Sequence, residues 1–518
     1  MAFNVDHLLN THSTPSQEQR NYLQNSILQL DEDISCIDEE ILAMQAKILV
    51  SQTRRTQLVQ QRRCYSSLLS PVRCLLPIEI LGEIFVYATR DRPGDVLNIH
   101  AVCQLWRYAA LSTPRLWSTL ELGHHTTRRN MQNHIDLWTE RAHSYPLSLS
   151  LIIRNQHGFL DSLKNALTLI LITNLNHHWK SITLDSDASG RSILSILEKL
   201  EFSNLEMLES FSLTTRFYSR LSLPDSLRHT PKLNALTLNV QYYAFDTLPF
   251  PWRQLTSLTI TFWAWDNDKI GGDILRACEN LEEFIMDGES DASDGSGSNH
   301  GSDSAITLNN LRKLHTRCND KMFLLSIKAP SIQDFAMEAS GLKYFYDKGF
   351  YDYIIKIGPT LLKLSIAPSH SRLVEGIPYL RSLVELRLYD SNHGDDGSVM
   401  MCEILSSLVV DPEMEPSTIP LPRLEALEII CQATEANQRM FVNVIDSRWW
   451  SDEENARQKQ GQRSLSRIKR SVLMNIHTDL NRFCRDDVDV LRAQGMIIEY
   501  LAPFDGMDED DFYTSRLQ

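Results

Sequence analysis

The stretch Leu76–Leu122, LPIEILGEIFVYATRDRPGDVLNIHAVCQLWRYAALSTPRLWSTLEL, sets the organisation of the chain. Leu76 and Pro77 open a helix, because proline at a first helical position gives up no hydrogen bond and already holds the required φ. Ile80, Leu81, Ile84, Phe85 and Ala88 recur at helical spacing, which puts a broad apolar face on a helix too short to stand alone. Arg92, Pro93, Gly94 and Asp95 make a turn. Two more apolar pieces follow, Val96 to Val102 and a helix carrying Leu105, Trp106, Ala109 and Ala110 that Pro114 ends. A helical unit of this size buries little surface, so apolar area left over after folding suits a partner protein.

The order Leu76, Pro77, Glu79, Ile80, Leu81, Ile84, Phe85, then Val102, Cys103, Trp106, Arg107, Ala109, then Pro114, Leu116, Trp117 resembles the F-box. It is most similar to the F-box-like proteins of mushroom-forming fungi, where an LPxEIL start and an xPxLW end frame the module. The resemblance implies docking onto the Skp-type adaptor of an SCF-type cullin-RING ubiquitin ligase, with Leu76, Pro77, Ile80, Leu81, Ile84 and Phe85 divided between internal core and adaptor contact. A non-catalytic repeat scaffold with no role in ubiquitination is the alternative.

Outward from this stretch, the whole chain of 518 residues has room for two or more units, and 42% apolar with 23% charged residues is ordinary globular composition. A formal charge of −15 argues against nucleic acid, whose binding needs a clustered basic footprint, and against anionic membranes. Nine scattered cysteines with no CxxC pair fit a reducing compartment and no zinc spacing. Residues 1–24 are polar, without a secretory h-region, and the longest apolar run, around 167–172, is too short to span a bilayer. Cytoplasm or nucleus is the expected location.

Upstream, residues 1–17 read as disordered and 18–69 as a coiled-coil helix. Leu23, Ile27, Leu30, Ile34, Ile37, Ile41, Met44 and Ile48 alternate steps of four and three, a heptad seam with isoleucine at each a position. Ser51, Arg55 and Arg62 then occupy the same seam, so association weakens toward the F-box-like stretch at 71–122. The pattern is compatible with a parallel dimer, and packing of the helix on its own chain is the other reading.

Downstream, residues 123–503 read as an irregular leucine-rich-repeat solenoid. Pro146 stops a helix through Ile135, Leu137, Trp138 and Ala142, and Leu147, Leu149 and Leu151 alternate as a strand. A frame of three apolar residues at first, fourth and sixth positions then recurs: Trp179/Ile182/Leu184, Leu208/Phe211/Leu213, Leu233/Leu236/Leu238, Leu255/Leu258/Ile260 and Leu281/Phe284/Met286, with later copies from Leu311, Ile332, Leu361, Leu383 and Leu424. Such a period implies one parallel strand per repeat and a shared core; the Asn or Cys column of regular repeats is not evident. The expected fold class is therefore mixed α/β: coiled-coil helix, three-helix F-box, then a solenoid with a parallel sheet.

Residues 287–304, rich in Gly, Ser and Asp, read as a disordered acidic insertion and 504–518 as an acidic tail. Asp486 to Ala493 reads as a helix that Gly495 stops, before a last strand from Met496 to Leu501. Trp449 and Trp450 read as plugs between repeats. No phosphate loop, HExxH or GxSxG frame occurs, so no enzyme activity, cofactor or metal is expected. Strand alternation sends Ser210, Ser212, Thr214, Ala235, Thr237, Asn239, Thr259, Thr261, Asp334 and Glu338 to the solvent face of the sheet. Trp263, Trp265, Lys313, His315, Arg317, Arg387 and Tyr389 on that concave face are the expected target-binding residues, with Arg317 as an anchor for an acidic segment; the other reading ends the strand near Phe262 and folds the two tryptophans over the convex arc as packing.

Overall fold

The computed structural model describes residues 14–69, 76–90, 92–123, 128–153, 179–186, 205–215, 223, 225–240, 248–262, 268–288, 305–318, 321–337, 348–366, 373–389, 395–411, 413–415, 417–431, 434–449, 465–475 and 482–501. Trp263, Trp265, Glu338, Trp450 and residues 1–13, 70–75, 167–172, 289–304 and 502–518 lie outside the described residues. The chain divides into two compact units, one of residues 1–88 and 97–113, the other of residues 89–96 and 114–518. Among the described residues no helix is long and apolar enough to cross a membrane.

The first unit is helical. α1 runs Gln17–Leu68 without Gly or Pro, and the heptad seam is exposed from Ile27 to Ile48. α2 follows at Ile78–Ala88, α3 at Val96–Val102 and α4 at Gln104–Leu111. Pro77 sits just before α2, and its carbonyl accepts the first helical hydrogen bond, from the Leu81 amide at 3.0 Å. Leu81 and Phe85, one turn apart, bury the inner face, and the Phe85 ring lies 4.8 Å from that of Trp106. Gly82 permits close approach: a Cβ there would meet the Thr113 hydroxyl at 2.4 Å. That hydroxyl already donates to the Ala109 carbonyl.

Among the described residues, the second unit is built on an open sheet of fourteen parallel strands in chain order. The first strands are β1 (Thr119–Leu122), β2 (Leu147–Ile153), β3 (Trp179–Ser186), β4 (Ser210–Thr215), β5 (Ala235–Val240), β6 (Ser257–Phe262) and β7 (Glu283–Gly288). A two-residue strand β8 (Ile306–Thr307) pairs outside the sheet with β10 (Ile327–Lys328), and the main order resumes with β9 (Lys313–Cys318) and β11 (Asp334–Met337). β12 (Lys363–Ile366), β13 (Glu385–Tyr389), β14 (Ala426–Cys431), β15 (Arg470–Asn475) and β16 (Ile497–Leu501) complete it. Helices return the chain in several repeats, among them α5 (Arg128–Ala142), α6 (Asp268–Ala277), α7 (Lys321–Ser326), α8 (Lys348–Ile357), α9 (Leu373–Gly376), α10 (Asp395–Leu408), α11 (Glu435–Asp446) and α12 (Arg482–Ala493).

The three-residue frame is the core. Its residues stack in register, Ile182 on Phe211, Leu236, Leu258, Phe284 and Leu314, and all of these are buried. Each such side chain contributes about 1.5–3 kcal/mol when fully buried. The frame extends beyond the copies read from sequence. Trp117, Leu120 and Leu122 form an earlier one, pairing onto Leu149 and Leu151, so the sheet begins before Leu147. Ile468, Ser471 and Leu473 form a later one, hidden by a serine at the middle position.

A polar column also links the repeats just before the frame. The Gln254 side chain donates to the Thr230 and Leu233 carbonyls, that of Asn280 to Arg253 and that of Asn310 to Glu279. Asp287 and Gly288, expected to open a disordered insertion, are instead the last residues of β7, paired in register with Arg317 and Cys318 of β9. Gly495 adopts φ +94° after α12, as a helix stop requires.

Candidate functional site

Two surfaces carry the residues singled out from sequence. On α2, helical spacing divides the apolar residues between two faces. Leu81 and Phe85 are 1% and 2% exposed and hold the helical unit together, whereas Ile80 and Ile84 are 49% and 46% exposed. Leu76 is half-buried and Pro77 exposed. Sequence spacing could not separate these pairs, since all four fit one broad stripe. The same unit exposes Leu97, Val102 and Tyr108, with Tyr87 nearby in sequence. Large apolar side chains on the surface are thus concentrated in this short segment and in α1, and water-facing apolar clusters of this kind mark interaction sites.

The second surface is the solvent face of the sheet. On β4 to β6 it carries the small hydroxyl side chains Ser210, Ser212, Thr214, Thr237, Thr259 and Thr261, and Ser210 hydrogen-bonds Ser181 of β3 at 2.8 Å. From β7 onward it turns ionic. One register row reads Glu283, Lys313, Asp334, Lys363, Glu385, alternating in sign from strand to strand. Lys313 pairs with Glu283 and Lys363 with Glu385, while the His315 ring lies 3.0 Å from Asp334 in the next strand. Farther along, Arg387 reaches Glu428 at 2.8 Å, and Arg317 stands 3.9 Å from Asp287.

Burial shapes the charges of this row. It opposes ionisation of Asp334, but the hydrogen bond from His315 and the neighbouring lysines prevail and hold the carboxyl below its ordinary range. At Glu283 burial again opposes, and Lys313 and Ser257 outweigh it. At Asp287 burial wins over the more distant Arg317, and its carboxyl titrates higher than usual. The cations of the expected target-binding set, Arg317 among them, therefore already face carboxylates of their own sheet.

Tyr389 corrects the outward placement. It is buried, and its hydroxyl donates to the Met337 carbonyl of β11. The last paired residue of the intervening strand β12 is Ile366, opposite Leu388, and Tyr389, one residue farther on, reaches across to β11. Alternation along one strand cannot report where its neighbour stops. Trp449 is tied down through its indole N–H to Gln494 and beneath the Arg467 guanidinium. Among the described residues no group of three His, Cys, Asp or Glu side chains could hold a metal ion.

No curated protein matches the chain. Residues 74–122 match the family model described as F-box-like, and so this chain carries an F-box-like domain, whose last residues are the first strand of the parallel sheet.

Proposed function

We propose that the protein is the substrate-recognition subunit of an SCF-type cullin-RING ubiquitin ligase. The F-box-like domain docks a Skp-type adaptor, and the strands that follow, read as irregular leucine-rich repeats, hold the target. Other subunits supply catalysis, and this chain contributes proximity between target and charged ubiquitin carrier. The observation that carries the reading is the division of α2 inside the matched segment: Leu81 and Phe85 close the core while Ile80 and Ile84 remain on the surface. An exposed isoleucine pair one turn apart is suited to insertion into an apolar groove of a partner.

On the target side, Lys313, His315, Arg317 and Arg387, with Trp263 and Trp265, remain the proposed recognition residues. Their paired carboxylates make the ionic half of the sheet a surface for segments that carry both signs of charge.

Co-expression with a Skp-type adaptor tests the docking role. Ile80→Lys with Ile84→Lys should abolish adaptor capture, each lost anchor costing about 2 kcal/mol or more, while circular dichroism and melting stay those of the wild type because neither side chain is in the core. Wild-type adaptor capture by that variant would leave the scaffold reading in its place.

A further inference from the structure

α1 presents an apolar seam to water, with Ile27 to Ile48 between 46% and 58% exposed. Its charges are segregated along the same helix. Asp31, Glu32, Asp33, Asp38, Glu39 and Glu40 lie in a stretch, residues 21–46, without Lys or Arg; Lys47, Arg54, Arg55, Arg62 and Arg63 lie in one, residues 41–68, without Asp or Glu. Pairing along the helix does not account for this, since Glu40 and Lys47, the nearest opposite charges of these two stretches, are beyond i,i+4 reach. The helix dipole does not either, because it acts on the terminal turns, and the last turn of α1 holds no basic residue.

The heptad frame shows what does. Ile27, Ile34, Ile41 and Ile48 are a positions, which puts Arg55 and Arg62 at a as well, Asp33, Glu40, Lys47 and Arg54 at g, and Asp38 at e. A parallel pair stacks Arg55 on Arg55 and Arg62 on Arg62 of the second copy and sets Asp33 against its Asp38. Every one of those meetings is between like charges. In an antiparallel pair a faces d and g faces g. Turned about a midpoint near residue 46, Met44 lies opposite Ile48 of the second copy and Ile34 opposite its Leu58. Glu40 then falls between Lys47 and Arg54 of the second copy and Asp33 on the near side of that Arg54; the one like-charge meeting, Lys47 with Lys47 across the two-fold axis, has Glu40 of both copies beside it. Arg55 and Arg62 meet single apolar residues, Ile37 and Leu30, with Asp38 and Asp31 flanking them, so their stems can lie along the seam while the guanidinium groups reach a carboxylate.

We propose that α1 pairs with α1 of a second copy in antiparallel orientation, through the isoleucine seam and through Asp33 and Glu40 against Lys47 and Arg54. The proposal is independent of adaptor docking. Its consequence is geometric: the C-terminal ends of the two helices emerge roughly 65 Å apart at 1.5 Å per residue, rather than side by side. Two F-box-like domains then leave opposite ends of one rod, and the assembly can engage two adaptors, or two sites on one target, at once.

Sedimentation equilibrium of the full-length chain, under reducing conditions and across a range of NaCl, tests it. The wild type should be a dimer that loosens as salt rises. Asp33→Lys with Glu40→Lys should weaken the dimer roughly tenfold or more, as should Lys47→Glu with Arg54→Glu, and all four changes together should restore it. Unchanged helical circular dichroism in each variant shows that association, not folding, has moved. A wild type that is monomeric throughout overturns the proposal. So does an Asp33→Lys, Glu40→Lys variant that associates as well or better, the outcome a parallel pair requires because the introduced ammonium group at position 33 would then face Asp38 of the second copy.

Discussion

Arg448 is fully buried with no carboxylate partner among the described residues, and its guanidinium works as a staple. Nε and one terminal nitrogen donate to the Leu408 carbonyl at the end of α10, and the terminal nitrogens also reach the carbonyls of Pro420 and Leu421. Burial lowers its pKa to about 10, so it remains charged near neutrality. Three carbonyls, one at the negative end of a helix, replace water around that charge. Arg448→Ala should cost about 3 kcal/mol or more in chemical denaturation, because it opens a cavity and leaves those carbonyls without donors. Arg448→Lys should recover only part, since an ammonium cannot span the three acceptors. A loss below about 1 kcal/mol for Ala would show that water serves the carbonyls equally well. Nothing in the run of residues around 448 marks this role, because its partners are 27 to 40 positions away. Thr316 and Ser471 are the converse case: polar residues at frame positions, buried by the stack around them, with hydroxyls that find no partner among the described residues.

Among the elements, the ionic strands β7 to β13 depend on pH in a definite direction. Glu283 and Asp334 titrate below their ordinary values in the folded sheet. A depressed carboxyl pKa contributes stability that is present above the unfolded value near 4 and is lost as pH falls through the folded one. The melting temperature of the sheet unit should therefore drop between about pH 5 and pH 3. Glu283→Gln with Asp334→Asn should lower it at neutral pH and flatten that slope; an equally steep slope in the double variant would assign the acid sensitivity elsewhere. The inward face of these strands was legible from the leucine frame, because a strand's period of two leaves one assignment for each side chain. The pairing of Lys313, His315 and Arg387 with carboxylates was not, since register between strands some 20 to 40 residues apart is set by how the arcs return.

For the molecule as a whole, the sheet and the F-box-like segment share sequence. β1 ends at Leu122, the last residue of the family match, yet Trp117, Leu120 and Leu122 belong to the sheet core. Trp117 packs edge-on against Trp138 of α5 under the Arg141 guanidinium. A fragment of residues 114–518 should fold cooperatively, whereas 123–518 should lose about 3 kcal/mol or more, because it deletes the buried Trp117 and bares the edge of β2. Equal stability of the two in urea would mean that β1 is dispensable. By itself the sequence determined the mixed α/β class, the long helix, the F-box-like segment and the parallel strands, since periodicity and Pro or Gly stops act within a few residues of where they stand. Only the tertiary structure decided that Ile80 and Ile84 face water while Leu81 and Phe85 do not, that Tyr389 turns in, and that the sheet starts at β1. Each of those depends on which distant surface covers a side chain, and burial is a property of the packed neighbour as much as of the residue.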